Sequence, residues 1–140
     1  MSMRFKLYIS IIFLCIVLSA ISGCGKDEYN IGEEFSLSIG ETATFKGEQL
    51  RIQFLEIIED SRCPRNVTCI WEGRVVAVIE VFLGGELQQI MLIEQGLSDM
   101  SVKEQIGEYE VLFRILPYPE DAEIQISPDE YYLMMTVNKN

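Results

Sequence analysis

The strongest constraint on the fold of this chain is a two-residue alternation of apolar and polar side chains in short segments. In residues 35–39 apolar side chains alternate with serines, and in residues 108–116 they alternate mostly with charged side chains. Successive side chains of a β-strand point to opposite faces, so this pattern predicts strands with one buried face. Only residues 96–107 leave room for a helical turn. We therefore predict an all-β domain, a small antiparallel sandwich or barrel of about seven to eight strands.

Two central segments give more detailed predictions. Residues 49–58 change the phase of their alternation at Leu55, and one extra residue there predicts a β-bulge. Residues 74–83 are almost continuously apolar and β-branched, which is typical of a strand buried on both faces. Gly84 and Gly85 then predict a hairpin turn into a further strand.

The C-terminal part is predicted to be a long loop followed by a closing strand. Residues 117–130 contain three of the four prolines and five acidic residues, which indicates a loop. A short edge piece is predicted within it at residues 122–126. The tyrosines and methionines of residues 131–139 alternate like the faces of a strand, so we assign them to the core rather than to a ligand site.

The first 23 residues have the pattern of an export signal. Arg4 and Lys6 precede residues 7–18, which are apolar apart from Ser10, and small residues follow at positions 19, 20, 22 and 23. This apolar stretch is too short to span a bilayer comfortably, and it stands between a basic segment and small residues. Residues 1–23 are therefore predicted to be a signal peptide.

The end of this segment resembles the lipobox of bacterial lipoproteins. Residues 21–24, Ile-Ser-Gly-Cys, place an aliphatic and two small residues before a cysteine. The resemblance implies that Cys24 is lipidated and becomes the first residue of the mature chain, with a stable anchor of two or more acyl chains. Residues 24–34 would then be a lipidated polar tether, and residues 35–140 a single all-β domain on the extracytoplasmic side of the cell membrane or outer membrane.

The predicted pairing of the cysteines follows from this resemblance. Of the four cysteines, Cys15 lies in the predicted signal and Cys24 would be blocked by lipid. One pair is left, Cys63 and Cys69, in a chain that is predicted to reach an oxidising compartment. We therefore predict a disulfide between them.

The charge of the chain restricts its partners. It has 11 basic and 22 acidic residues, and loss of Arg4 and Lys6 with the signal leaves 9 basic residues and a net charge of −13. A domain this acidic is repelled by nucleic acid and by anionic lipid head groups. We predict no nucleic-acid partner. The membrane contact is predicted to be made through the lipid anchor, and an extracytoplasmic protein is the other candidate partner.

Histidine is missing from the sequence, which narrows the possible chemistry. The usual general base, the Ser-His and Cys-His pairs and the commonest zinc ligand are all unavailable. Acidic residues cluster at positions 56, 59 and 60 and again at positions 120–130, but no two of them are marked as a catalytic pair. Their spacing does not match a calcium-binding loop, although oxygen-rich loops can bind calcium. We predict that the protein is not an enzyme and has no cofactor or metal; an enzyme with paired carboxylates is the third alternative.

The least ordinary segment is residues 60–73, DSRCPRNVTCIWEG. It resembles a segment of small exported bacterial proteins of uncharacterised function, Asp-Ser-Arg-Cys-Pro, a few residues, then Cys-[Val/Ile]-Trp-x-Gly. The resemblance implies a secreted β-domain and no particular activity. Glu72 departs from the small residue that this pattern has before its glycine.

Two roles are predicted for this segment. Its Cys-x5-Cys spacing does not fit a thioredoxin-like or zinc motif, so a disulfide that joins the end of one strand to the start of the next is the main interpretation. Trp71 would pack against the bridge or the core, and Gly73 would ease the approach to the following strand. Alternatively, the segment is the binding loop of a secreted peptidase inhibitor, with Arg65 entering a specificity pocket. The candidate binding residues are Arg62, Pro64, Arg65, Asn66 and Trp71.

Overall fold

The computed structural model of the chain describes residues 27–96 and 101–140. The predicted signal peptide, Cys15 and the predicted lipidation site Cys24 lie outside these residues. The described residues form nine strands and a 3-10 turn at Pro128–Glu130. The strands are β1 Asp27–Tyr29, β2 Glu34–Ser38, β3 Thr42–Phe45, β4 Leu50–Asp60, β5 Arg74–Leu83, β6 Glu86–Gln95, β7 Val102–Ile106, β8 Tyr109–Leu116 and β9 Tyr132–Lys139.

These strands form two sheets that pack face to face as a sandwich. The first sheet has the strand order β1-β3-β4-β5-β6, and the second has the order β2-β9-β8-β7. Every neighbouring pair is antiparallel except β1 and β3, which are parallel. The prediction of a small all-β antiparallel sandwich is confirmed. No helix of the described residues is long and apolar enough to cross a membrane.

The core lies between the inner faces of the two sheets. Along β8 every second side chain is buried, beginning with Tyr109 and ending with Ile115. The large side chains Phe54, Phe113 and Leu133 are also fully buried. Burial of one such side chain contributes roughly 1.5–3 kcal/mol, so the alternation read from the sequence provides most of the driving force for the sandwich.

The central strands agree in part with their predictions. The β4–β5 register shifts between Phe54 and Glu56, which confirms the predicted bulge, and shifts again between Ile57 and Glu59. The hairpin at Gly84–Gly85 is also confirmed, since Leu83 pairs with Glu86. Strand β5 is fully buried on its inner face only. On its outer face Val76 is buried, but the three alternate residues that follow it are half-buried, because no layer covers that side.

Three predictions for the C-terminal half have different outcomes. Residues 102–106 form a strand, so the helical turn allowed for residues 96–107 is wrong there; residues 97–100 lie outside the described part. No strand forms at residues 122–126, and the local order is instead the 3-10 turn that follows them. The closing strand is confirmed as β9, which lies between β2 and β8.

The folded domain also begins earlier than predicted. Residues 27–34 were assigned to a polar tether, but Asp27–Tyr29 pairs with β3, and β2 starts at Glu34. The physical reason is Tyr29, whose ring stacks on Phe35 with centroids 4.3 Å apart and packs against the core. A single aromatic residue in a polar segment thus extends the sheet by one short strand.

We expect Tyr29→Ala to destabilise the domain by about 1–3 kcal/mol, because it removes a large packed side chain from an edge strand. Glu28, which is exposed on the same strand, provides the matched control, and Glu28→Ala should change the free energy of unfolding by less than about 0.5 kcal/mol. Urea denaturation of the two variants measures both values. Equal and negligible effects would show that residues 27–29 behave as a tether.

Candidate binding site at the disulfide loop

Residues 61–73 connect β4 to β5 at one end of the sandwich, and the disulfide lies within them. Cys63 and Cys69 are bonded, with their Cα atoms 5.9 Å apart. This confirms the disulfide predicted from the cysteine count. A bridge that closes so short a loop contributes roughly 2 kcal/mol by restricting the unfolded chain.

The base of the loop is a narrow neck between the two strands. The backbone N–H of Ser61 donates to the carbonyl oxygen of Arg74 at 2.8 Å. Gly73 has φ +68°, and a Cβ atom at this position would lie 1.9 Å from the carbonyl oxygen of Ser61. Glycine is therefore required here, both for the backbone conformation and for the close approach.

Arg62 is the most deeply buried charged side chain of the loop. Its guanidinium has no exposed area and donates to both carboxylate oxygens of Asp60, at 2.9 and 2.6 Å. It also donates to the carbonyl oxygens of Ile115 and Pro117, at 2.8 and 2.9 Å. Arg62, predicted as a binding residue, thus has a structural role: it connects the first sheet to the end of β8 in the second.

Ile115 shows why polar side chains are needed at this place. Strand β8 pairs with β9 on one side and with β7 on the other, but the pairing with β7 ends at Phe113. On the β7 side, Ile115 therefore has no strand partner among the described residues. The carbonyl of Ile115 accepts from Arg62, and its N–H donates to the carboxylate of Glu94 at 2.7 Å. Two side chains of the opposite sheet therefore satisfy backbone groups that would otherwise be buried without partners.

Burial changes the acid–base properties of this cluster. Burial raises the pKa of Glu94 above its ordinary value of 4.5, although the bond from Ile115 and the charges of Arg62 and Arg114 oppose the change. Tyr131 donates its hydroxyl proton to Asp60 at 2.9 Å. Burial and then that hydrogen bond raise the pKa of Tyr131 to about 12. The hydroxyl therefore keeps its proton at neutral pH and remains a donor.

One side of the disulfide loop is attached to residues 117–122. The backbone N–H groups of Arg65 and Asn66 donate to the carbonyls of Pro119 and Glu120, at 3.1 and 3.2 Å. The side-chain oxygen of Asn66 accepts from the N–H of Ala122 at 3.0 Å. The guanidinium of Arg65 pairs with Glu120 at 3.0 Å. The predicted binding residues Arg65 and Asn66 thus hold two loops together.

Tyr118 completes this attachment. Its hydroxyl donates to the carbonyl oxygen of Cys63 at 2.7 Å. Its ring lies against two guanidinium groups, 5.0 Å from that of Arg62 and 4.9 Å from that of Arg65. Such cation–π contacts add to the rigidity of the loop, most of all at the desolvated Arg62.

The other side of the loop faces solvent. Trp71 is 61% exposed and Ile70 is 96% exposed, and Val67 is exposed as well. The prediction that Trp71 packs against the bridge or the core is therefore wrong. The segment between Cys69 and Gly73 instead keeps the indole ring largely in solvent.

A cleft lies beside the attached side of the loop. It has a volume of about 430 Å³ and separates the last residues of β4 from the loop before β9. Its walls are polar and apolar in equal parts, and the apolar part includes Ile57 and Ile58 on one side and Ile124 and Ile126 on the other. Asp60, Arg62, Tyr131 and the predicted loop residue Pro64 also line the cleft.

The acidic residues suggested as candidates by the sequence have separate roles. Glu59 forms an exposed ion pair with Arg74 at 2.8 Å, whereas Asp60 belongs to the buried cluster. Among the described residues, no group of three cysteine or acidic side chains is arranged to hold a metal ion. Glu59, Asp60 and Asp121 all border the cleft, so its charged groups are mainly acidic.

Three residues of the cluster were not predicted from the sequence. Glu94 faces the core in the alternation of β6, and an acidic residue at an inward position is a signal that would have identified it. Tyr118 and Tyr131 act through hydroxyl contacts to residues more than 50 positions away. No local pattern indicates contacts of that kind.

The fold and the loop together define a class of protein: a small β-sandwich with one disulfide that braces a strand connection. Comparison with protein-family models, with curated protein sequences and with solved structures finds no match to the chain. The function is therefore argued from the residues of the loop and the cleft. The resemblances of residues 21–24 and 60–73 stay predictions.

We expect Arg62→Met to destabilise the domain by about 3–5 kcal/mol, because it leaves the carboxylate of Asp60 buried without its cation. The matched control is Lys103→Met, which breaks the exposed pair of Lys103 with Glu110 and should cost less than about 1 kcal/mol. Chemical denaturation of both variants gives the comparison. Similar losses for the two would contradict the special role of Arg62.

The raised pKa of Glu94 gives a prediction for pH dependence. The native state holds the proton of Glu94 to higher pH than the unfolded state, so its contribution to stability is complete below pH 4.5 and is lost as pH rises through the native pKa. We expect the unfolding free energy of the wild type relative to Glu94→Gln to fall above that pH, by at most ~1.4 kcal/mol per pH unit. Denaturation curves from pH 4 to 8 measure it. A difference that is constant or rises with pH would be the contrary result.

Proposed function

We propose that this protein is a membrane-anchored extracytoplasmic lipoprotein, held by lipid on Cys24, whose β-sandwich acts without catalysis as a binding or structural module of the cell envelope. The observation that carries the proposal is the Cys63–Cys69 disulfide in the domain that follows the lipobox of residues 21–24. A disulfide of this kind persists in oxidising compartments, which is where a lipoprotein signal would deliver the chain.

The polar side chains around the cleft support a binding role over a catalytic one. The carboxylate of Asp60 is engaged by Arg62 and Tyr131, and the guanidinium of Arg62 bonds to backbone carbonyls as well. A general base or nucleophile needs an available lone pair in reach of a substrate, and these groups use theirs within the fold. The apolar walls at Ile58 and Ile124 are exposed and can receive an apolar ligand or segment.

The charge of the cleft also restricts the ligands that it can accept. Glu59 and Asp121 stand at its border, while the nearest cation, Arg62, is neutralised by Asp60. A neutral or cationic apolar ligand suits such a surface, and an anionic one is disfavoured by like charge. This preference agrees with the strongly acidic character of the whole chain.

Peptidase inhibition by the disulfide loop has weaker support. An inhibitory loop presents its backbone and one side chain to the protease cleft. Here the N–H groups of Arg65 and Asn66 bond to Pro119 and Glu120, and the Arg65 guanidinium pairs with Glu120. An assay of the purified domain against extracellular peptidases tests this alternative, since inhibition by the wild type and not by Arg65→Ala would favour it over the proposed role.

The lipoprotein proposal is tested by replacing the two cysteines near the N-terminus one at a time. We expect Cys24→Ser to abolish incorporation of labelled palmitate and to release the protein from membranes, because the acylated sulfur is lost. Cys15→Ser, the matched control inside the predicted signal, should leave both the label and the membrane fraction unchanged. Membrane fractionation and lipid labelling in the producing cells give the readouts. Continued extraction of Cys24→Ser with detergent alone would refute the anchor.

A further inference from the structure

Val67, Ile70 and Trp71 form an exposed apolar tip on the disulfide loop. Their exposed fractions are 44%, 96% and 61%, so three apolar side chains within five residues project away from the domain. The neighbouring carboxylate of Glu72 is turned toward Gly96, where it lies 3.2 Å from the position of a Cβ atom. The tip is therefore apolar, and the acidic group next to it points elsewhere.

The apolar tip is held in this position by its surroundings. The disulfide closes the loop, and the hydrogen bonds of Arg65 and Asn66 fix its other side to residues 119–120. At the neck the backbone of Gly73 lies against that of Ser61, and a backbone hydrogen bond from Ser61 fixes the base of the loop. A rigid apolar projection loses little conformational entropy when it is buried by a partner, which favours an interaction surface.

The direction of β1 indicates where the apolar tip stands relative to the N-terminal segment. Strand β1 runs parallel to β3 and antiparallel to β4, so the chain before Asp27 approaches from the end of the sheet that carries the tip. Asp27 is level with Ala43, Ile52 and Val81 in the paired strands. From Val81 to Arg74, the first residue of β5 after the loop, is a distance of roughly 23 Å along the strand, and β1 lies two strands or ~10 Å to the side of β4.

The distance to the membrane follows from the proposed function, on which this inference rests. If Cys24 carries the lipid, only three residue steps separate the bilayer surface from Asp27, a span of at most ~11 Å. With the apolar tip also at the bilayer, the strands must be inclined, because an upright domain would hold Asp27 more than about 20 Å above the surface, farther than this span allows. An inclination of roughly 45° lowers the β1 edge and brings the tip to the bilayer surface together with the anchor.

We propose that the apolar tip inserts into the interface of the membrane that holds Cys24 and fixes the orientation of the domain on it. Tryptophan is the residue that favours this interface most, because its ring is apolar and its N–H can be hydrated. Insertion suits neutral lipid, since the acidic domain is repelled by anionic head groups. The contact is weak by itself and depends on the high local concentration that the anchor provides.

Trp71 is the only tryptophan of the chain, so its fluorescence reports directly on the apolar tip. A chain of residues 24–140 contains every described residue and has Cys24 as its only free thiol, since Cys63 and Cys69 are bonded. It can be coupled through Cys24 to a maleimide lipid in phosphatidylcholine vesicles. We expect the emission of Trp71 to shift to shorter wavelength and to be quenched by lipids brominated on their acyl chains.

Two substitutions make the assay specific. Ile70→Ser should lower the equilibrium constant for insertion by about tenfold or more, because the apolar surface of that side chain no longer enters the bilayer. Leu87→Ser is the matched control: Leu87 is 63% exposed but lies beside the Gly84–Gly85 hairpin at the opposite end of the first sheet, and its loss should leave the quenching unchanged.

The coupling supplies the anchor chemically, so the result is independent of whether cells lipidate Cys24. Unchanged emission of the coupled protein, without quenching, would overturn the insertion while leaving the lipoprotein proposal intact. Burial of Trp71 by a protein of the envelope, with no response to vesicles, would overturn it as well and assign the tip to a protein partner. If Cys24 incorporates no palmitate in cells but Trp71 is quenched in the vesicles, lipidation is refuted and the affinity of the tip for lipid is still supported.

Discussion

The buried contact between Arg62 and Asp60 is the interaction on which the rest of this end of the sandwich depends. Arg62, which follows β4 of the first sheet, donates hydrogen bonds to the carbonyls of Ile115 and Pro117 at the end of β8. Glu94, from β6 of the first sheet, accepts a hydrogen bond from the N–H of Ile115. A buried network of this kind is stabilising only when every member is satisfied. The cluster therefore fixes the distance between β4 and the end of β8, and with it the positions of the disulfide loop and of the cleft.

The two sides of the disulfide loop have different surroundings: one contacts the neighbouring loop and the other faces solvent. Arg65, Asn66 and Tyr118 attach one side to the neighbouring loop, and the bridge closes the loop while its other side faces solvent. A loop that is braced on one side can leave apolar side chains in solvent without losing its shape. Exposure of Ile70 and Trp71 opposes the hydrophobic effect, so folding alone does not explain their position on the loop.

The sequence predicted those parts of the structure that are governed by local rules. Alternation located most strands, the phase change at Leu55 located a bulge, and Gly84–Gly85 located a hairpin. The β1 strand was missed because it depends on pairing with β3 and on packing of Tyr29 against the core, and the exposure of Trp71 was missed because no local pattern distinguishes an exposed indole from a buried one. The role of Arg62 was missed because its partners at positions 115 and 117 follow it by more than 50 residues.

Local sequence patterns were enough to predict a small all-β domain, because side-chain alternation acts through short-range geometry. The pairing of Cys63 with Cys69 was predicted only with the help of the lipobox resemblance, which set the other two cysteines aside. The sequence also determined the acidic charge and the lack of histidine, which restrict chemistry and partners before any folding. Which charged residues are buried and which apolar residues are exposed depends on the tertiary structure, because burial is a property of the packed sheets. Arg62, beside Cys63, is the buried link between the sheets, and Trp71, two residues after Cys69, projects into solvent.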